Sequence, residues 1–261
     1  MRFKLILHIT SSKRVLPLNY QYPLHAWIYR TIEQADADFS RFLHDEGYAS
    51  GSKKFKLFTF SPLSCRPYKI FRQEERIAFQ GDEISLQISF MIDQAAEKFI
   101  MGLFMGQRFS LGDPISQADF EVVRIEALPR PEFKEKMRYR CLSPVVISVM
   151  ETGKAHAQYK GPAHPEYEKL FLNHLAEKYK AVPQLAGSIP DSPQDWQFRL
   201  LSKPRQKLIH IKQHTEAATK VRGYQYDFEL TAPAEVQEMG YYAGFGEKNS
   251  LGFGMGNKLN D

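Results

Sequence analysis

Arg2-Phe3-Lys4-Leu5-Ile6-Leu7-His8-Ile9 decides the fold class, because Phe3, Leu5, Leu7 and Ile9 alternate with Arg2, Lys4, Ile6 and His8. That is the period of a strand burying one face. A helix should follow: Pro23 suits a first helical turn, and Leu24, Trp27, Ile28 and Ile32 recur at helical spacing. Asp36 or Asp38 can cap a second, shorter helix with Phe39, Phe42 and Leu43 as its apolar stripe and Gly47 as its stop. Residues 55–64 and 84–91 read as strands, 95–105 as a helix and 120–128 as a strand. The order β, α, β, β, α, β is the split βαβ arrangement of a ferredoxin-like domain, so the predicted class is α+β.

Pro129-Arg130-Pro131 interrupts the pattern, and the same order then begins again. Residues 138–150 read as a strand, 165–179 as a helix, 196–201, 207–212 and 224–230 as strands, and 234–239 as a short helix. The repetition is architectural, since the halves share no sequence period. The predicted organisation is two tandem ferredoxin-like domains, 1–130 and 131–261, which suits a chain of 261 residues.

With 43% hydrophobic and 25% charged residues, the composition excludes disordered and fibrous classes. Cys65 and Cys141 are too few for a disulfide framework or a four-cysteine zinc site, so free thiols and a cytoplasmic setting are expected. No signal-peptide core or run of 18 apolar residues occurs, so neither export nor membrane insertion is expected. The net charge of +5 favours a polyanionic partner. The excess concentrates in Lys203, Arg205, Lys207, Lys212, Lys220 and Arg222, set against the single acid Glu216.

The most distinctive segment is the tail, where Gly240, Gly244, Gly246, Gly252, Gly254 and Gly256 place six of 16 glycines in seventeen residues. Such density lets backbone N–H groups approach a phosphate, or lets two elements pack with no side chains between them. Neither the dinucleotide fingerprint nor the phosphate-binding P-loop is present, so no nucleotide cofactor is expected. His210 and His214 are four apart, but on a strand leading into a loop, and no third ligand accompanies them. No metal site is predicted. His8, His25 and His174 lie on amphipathic elements and read as core-edge histidines.

His44 stands apart, closing a short helix before a basic loop that contains Lys53, Lys54 and Lys56, with Tyr29 on the preceding helix. A Tyr, a His and a Lys brought together can carry out phosphodiester transfer without metal. A base removes the ribose 2′-OH proton, an acid protonates the leaving 5′-oxygen, and a cation stabilises the phosphorane. A helix-terminal His is otherwise a capping or solvated residue.

The runs Tyr22-Pro-Leu-His-Ala-Trp-Ile-Tyr29, Phe42-Leu-His44 and Lys56-Leu-Phe-Thr-Phe-Ser61 resemble the CRISPR-associated endoribonucleases that cut precursor CRISPR RNA within its repeats, members of the RAMP superfamily. Gly244-Phe-Gly-Glu-Lys-Asn-Ser-Leu-Gly-Phe-Gly-Met255 resembles that family's glycine-rich loop, and Leu142–Val149 and Lys203–Ile211 also have counterparts. The resemblance implies tandem ferredoxin-like domains with RNA across the inter-domain face, and metal-independent cleavage giving 2′,3′-cyclic phosphate and 5′-OH ends. Carried over residue by residue, His44 is the general acid or base, Tyr29 its partner and Lys56 the cation, with Lys53 and Lys54 competing for that last role. Lys203, Arg205, Lys207 and Lys212 would track RNA phosphates, with Arg222, Lys248 and the loop glycines Gly244, Gly246, Gly252 and Gly254 as further contacts. Expected partners are repeat RNA, other CRISPR-associated subunits and a second copy in a homodimer. The competing reading is a catalytically silent repeat-RNA-binding subunit.

Overall fold

A computed structural model describes residues 1–154, 156–183, 185, 193–213 and 216–259. The Arg2–Ile9 strand sits at the centre of a five-stranded antiparallel sheet, ordered Phe58–Phe60, Glu83–Phe90, Arg2–Ile9, Gln117–Ala127, Arg108–Gly112. Helices α1 (Gln21–Ala35), α2 (Ala37–Arg41) and α3 (Asp93–Met105) belong to this half. Numbering the first, second, third and last long strands along the chain gives the order 2-3-1-4, the ferredoxin-like arrangement, with Arg108–Gly112 added at one edge. The same order returns in the four-stranded sheet Gln197–Leu200, Asp227–Thr231, Lys136–Cys141, Gly256–Lys258, with α4 (Tyr167–Lys180) and α5 (Ala234–Ala243) as its helices.

The expected one-sided burial of the first strand holds only in part. Leu5, Leu7 and Ile9 are buried as predicted, but so are Ile6 and Arg2 from the opposite face. The second half covers that face at the start of the strand. Arg2 Nη2 donates to the Tyr241 and Gly256 carbonyls at 2.5 and 3.0 Å, and its guanidinium stacks 3.5 Å from the Tyr241 ring centre. Ser89 Oγ donates to the Tyr242 carbonyl at 2.8 Å. One continuous apolar core therefore runs through both halves, from Leu5 and Trp27 to Phe171 and Phe245.

Asp36 is the cap of α2, its side chain accepting from Phe39 N at 2.9 Å, and Gly47 ends the following Phe42–Glu46 turn at φ +65°. Several elements differ from the sequence reading. The basic loop after Gly47 is a two-stranded ribbon, Tyr48–Ser50 with Lys53–Phe55. The strand expected over 138–150 ends at Cys141, because Pro144 has no N–H to continue a ladder. Residues 142–147 instead run beside the glycine-rich tail, with Leu142 N donating to the Met255 carbonyl and Glu247 N to the Val146 carbonyl, both at 2.8 Å. The strand expected over 224–230 divides at Tyr226 into Thr219–Gln225 and Asp227–Thr231. The first of these leaves the sheet to form a hairpin with Arg205–Ile211. A small sheet of Val15–Pro17, Arg76–Phe79 and Tyr68–Phe71 was not anticipated. Both cysteines are free and buried. Among the described residues no helix is long and apolar enough to cross a membrane.

Candidate active site

Helix α1 places His25 and Tyr29 four residues apart, so both rings leave the same face. Tyr29 is buried, its ring centre 4.8 Å from His25 and 5.3 Å from His44, with the His44 ring nearly perpendicular at 84°. His44 is exposed in the middle of the Phe42–Glu46 turn that follows α2. Lys56, just beyond the basic ribbon, donates from Nζ to the His44 carbonyl at 2.6 Å. The three residues singled out for chemistry thus arrive from three separate elements at one place.

Their electrostatics differ. His44 Nδ1 lies 2.7 Å from Asp45 Oδ1. A carboxylate only accepts, so this contact assigns the proton to Nδ1 and makes Nε2 the acceptor nitrogen of the neutral ring. The His44 ring in turn holds the Asp45 carboxyl below its ordinary value. Burial pushes the Tyr29 hydroxyl well above its ordinary value, with the Ser250 side chain acting in the opposite direction. Burial also lowers Lys56, and neighbouring Lys54 adds to that, against Asp45 and Glu46.

His25 proves to be more than a core-edge residue. Its Nδ1 sits 2.7 Å from the Ser250 carbonyl, so it carries the proton there and leaves Nε2 bare. Burial depresses its pKa to about 4, and the neighbouring His44 ring and the cations at Lys212 and Lys56 add to the effect against that hydrogen bond. The i, i+4 spacing to Tyr29 was the signal available in the sequence. Ser250, Asp45 and Asn249 were not legible as site residues, because only the fold brings the tail against α1.

The glycine-rich tail supplies one wall. Gly244, Gly246, Gly252 and Gly254, expected at RNA, are buried and pack against protein. A Cβ on Gly252 would sit 2.5 Å from the Phe60 ring, and one on Gly254, at φ +72°, 1.9 Å from the Phe245 carbonyl oxygen. Of the two uses a dense glycine run allows, close packing is the one they serve. Thr59 Oγ1 donates to the Phe253 carbonyl at 2.9 Å, fastening the tail to the first sheet. Lys248 remains exposed at φ +58°. Between this loop, α4 and the basic ribbon lies a cleft of about 600 Å³ whose lining includes Lys53, Lys54, Lys56, His174, Lys248 and Ser250. Lys53 also pairs with Glu177, and Lys54 donates to the Asp45 carbonyl at 3.4 Å.

The basic segment divides. Pairing of Leu208 with Arg222 and Lys207 with Gly223 puts Arg205 and Lys207 on one face of the hairpin and Arg222 on the other. Lys203 is exposed just before the hairpin. Lys207 lines a groove of about 580 Å³ shared with Tyr20, Arg66, Tyr68 and Gln225. Lys212 follows the hairpin strand beside α1, its Nζ 5.9 Å from the Tyr22 ring centre, and Tyr22 stacks on His25 at 5.8 Å. The seven-residue strand Arg205–Ile211 covers roughly 20 Å at about 3.3 Å per residue, so cations extend from the site along the hairpin. His214 lies outside the described residues. Among the described residues no three His, Cys, Asp or Glu side chains converge as a metal site.

Comparison with known proteins gives a consistent answer. Residues 15–125 match the model of the CRISPR-associated protein Cas6 N-terminal region, and residues 128–257 that of the Cas6 C-terminal region. A CRISPR-associated endoribonuclease Cas6 of Methanocaldococcus jannaschii is 30% identical over 98% of this chain and 91% of its own length. An endoribonuclease-like Cas6 protein of Pyrococcus furiosus is 28% identical, covering 98% of this chain and 97% of its own length. The solved structure of a Cas6-related gene product from Pyrococcus furiosus superposes with a TM-score of 0.81 at 25% identity, covering 100% of this chain and 99% of that one. Two family models that divide the chain between them and a relative matched from end to end lead to one conclusion: this chain belongs to the Cas6 family of CRISPR-associated endoribonucleases.

Proposed function

We propose that the chain cuts precursor CRISPR RNA within its repeats by attack of a ribose 2′-OH on the adjacent phosphorus. The P–O5′ bond breaks, leaving a 2′,3′-cyclic phosphate and a 5′-OH. The observation that carries this is the convergence of Tyr29, His44 and Lys56, with rings 5.3 Å apart and the lysine 2.6 Å from the His44 carbonyl. His44 Nε2, unprotonated while Nδ1–H faces Asp45, accepts the 2′-OH proton. Tyr29, kept protonated by burial, donates toward the leaving 5′-oxygen. Lys56 stands beside them as the cation for the phosphorane charge, so the three side chains cover base, acid and charge stabilisation.

Residues 1–130 and 131–261 serve as the two domains, with RNA lying across the face between them. The strand would enter the basic cleft at Lys53, Lys54 and Lys248 and continue along Lys212, Lys207, Arg205 and Lys203, its bases splayed onto protein surface. Association with other CRISPR-associated subunits or a second copy belongs to the same reading.

The endoribonuclease-like name of one close relative favours a second reading, a repeat-RNA-binding protein that does not cut. The two part at one variant. His44→Ala is expected to slow single-turnover cleavage at least 100-fold while changing affinity for the uncut repeat less than tenfold, since acid–base catalysis contributes roughly 10²–10⁴ to rate and little to binding. Tight binding by wild type with no cleavage would establish the second reading.

A further inference from the structure

Lys178 is the most deeply buried cation in the described part of the second half, 1% exposed on the last turn of α4. All three of its ammonium protons have acceptors, and all three acceptors lie in the glycine-rich loop. Nζ is 2.6 Å from the Gly244 carbonyl, 2.8 Å from the Gly246 carbonyl and 2.5 Å from Asn249 Oδ1. The nearest carboxylate in the loop is committed elsewhere, Glu247 accepting from Ser148 N at 2.6 Å and Ser148 Oγ at 2.8 Å. A buried lysine with no carboxylate hydrogen-bonded to it, only the longer-range attraction of Glu247, is a poor way to gain stability, because an apolar side chain of similar volume avoids the desolvation cost. What it achieves is a fixed loop conformation.

Lysine has only donors, so it turns the oxygen of the Asn249 amide toward itself. The Asn249 NH₂ then donates to the Phe245 and Phe253 carbonyls at 3.1 and 3.0 Å, closing the loop on itself. The next residue, Ser250, gives its carbonyl to His25 and its side chain to Tyr29. Resting on the functional reading above, we propose that Lys178 is a positioning residue for RNA cleavage: it clasps the loop 244–250 and so holds Ser250 against the His25–Tyr29 face of α1. Lys178 lies in the wall of the basic cleft but is only 1% exposed there, with its three protons spent on the loop, so it acts through the loop. Burial lowers its pKa to about 7, which is the cost this arrangement carries.

The test uses the full chain with Lys178→Met and, as a companion that keeps charge and donors but alters their reach, Lys178→Arg. In folded variants with a two-state thermal transition, single-turnover cleavage of saturating repeat RNA is expected to fall about 100-fold for methionine and at least tenfold for arginine. The Kd for a repeat carrying a 2′-deoxy residue at the cut should change less than threefold. In a His25→Phe background, which leaves the Ser250 carbonyl without its ring donor, Lys178→Met should cost at most a third of its usual factor, because the link it acts through is already cut. Wild-type rates in a folded variant, or factors that simply multiply, overturn the proposal. Amide exchange gives a readout independent of cleavage. Wild-type Phe245, Gly252 and Gly254 should be protected at least tenfold beyond the ribbon at 48–55, and Lys178→Met should remove that excess. Loop amides that exchange like the ribbon in wild type overturn the clasp even if neither variant folds. A wild type that never cuts refutes the functional reading, while exchange still decides whether the clasp exists.

Discussion

His25 should make the protein acid-sensitive by a calculable amount. Its folded pKa is pushed down to about 4 from an ordinary 6.5, because the ring is largely buried and its Nδ1–H is spent on the Ser250 carbonyl. Between those values the unfolded chain binds a proton that the folded chain does not. Stability is therefore complete above about pH 6.5 and drains as pH falls toward about 4. Linkage gives a loss of about 2 kcal/mol by pH 5 and about 3 kcal/mol by pH 4 from this one residue. The comparison is urea unfolding of wild type and His25→Gln from pH 7.5 to 4.5. Glutamine can still donate to the Ser250 carbonyl and does not titrate. His174, also held below its ordinary range by burial, is present in both proteins and cancels in the difference. The stability gap should close by about 2 kcal/mol between pH 7.5 and 5. Curves that stay parallel within about 0.5 kcal/mol would refute the placement of a neutral, buried imidazole in the site.

Gly254→Ala should be among the most damaging single substitutions, since its Cβ would fall 1.9 Å from the Phe245 carbonyl oxygen at φ +72°. A loss of about 3 kcal/mol or more is expected, and a melting temperature within about 2 °C of wild type would contradict the packing described. Tyr29→Phe removes only a hydroxyl that is held protonated, so cleavage should fall roughly 100-fold with RNA affinity preserved. An unchanged rate would remove Tyr29 from the chemistry. Lys207→Ala should weaken repeat binding severalfold and reduce the salt slope by about 0.7, more than Arg222→Ala on the opposite face of the hairpin. Equal effects would mean that RNA does not follow the Lys207 groove.

The fold was legible where local periodicity and global burial agree. The alternation in Arg2–Ile9, the helical stripe of α1 and the Asp36 cap each appear where expected. It was not legible where a distant segment covers a surface. Nothing local to Arg2 reports that Tyr241 and Gly256 will bury it. The same holds for the site. Tyr29, His44 and Lys56 could be named from residue type and resemblance, but the loop that completes the arrangement arrives from more than 200 residues away, with Ser250 on His25. The glycines were conspicuous in sequence for a reason that packing, not exposure, explains. Nothing local to Lys178 reports the three acceptors that the glycine-rich loop brings to it.

The central claim is transfer to a neighbouring 2′-OH by protein side chains. Its most direct test is cleavage of end-labelled repeat RNA in excess EDTA, with one substrate carrying a single 2′-deoxy residue at the cut and the product ends identified. The account predicts one cut in the all-ribose repeat, a 2′,3′-cyclic phosphate end, and no cut in the deoxy substrate despite normal binding. Cleavage of the deoxy substrate, or a strict requirement for added divalent metal, would contradict it.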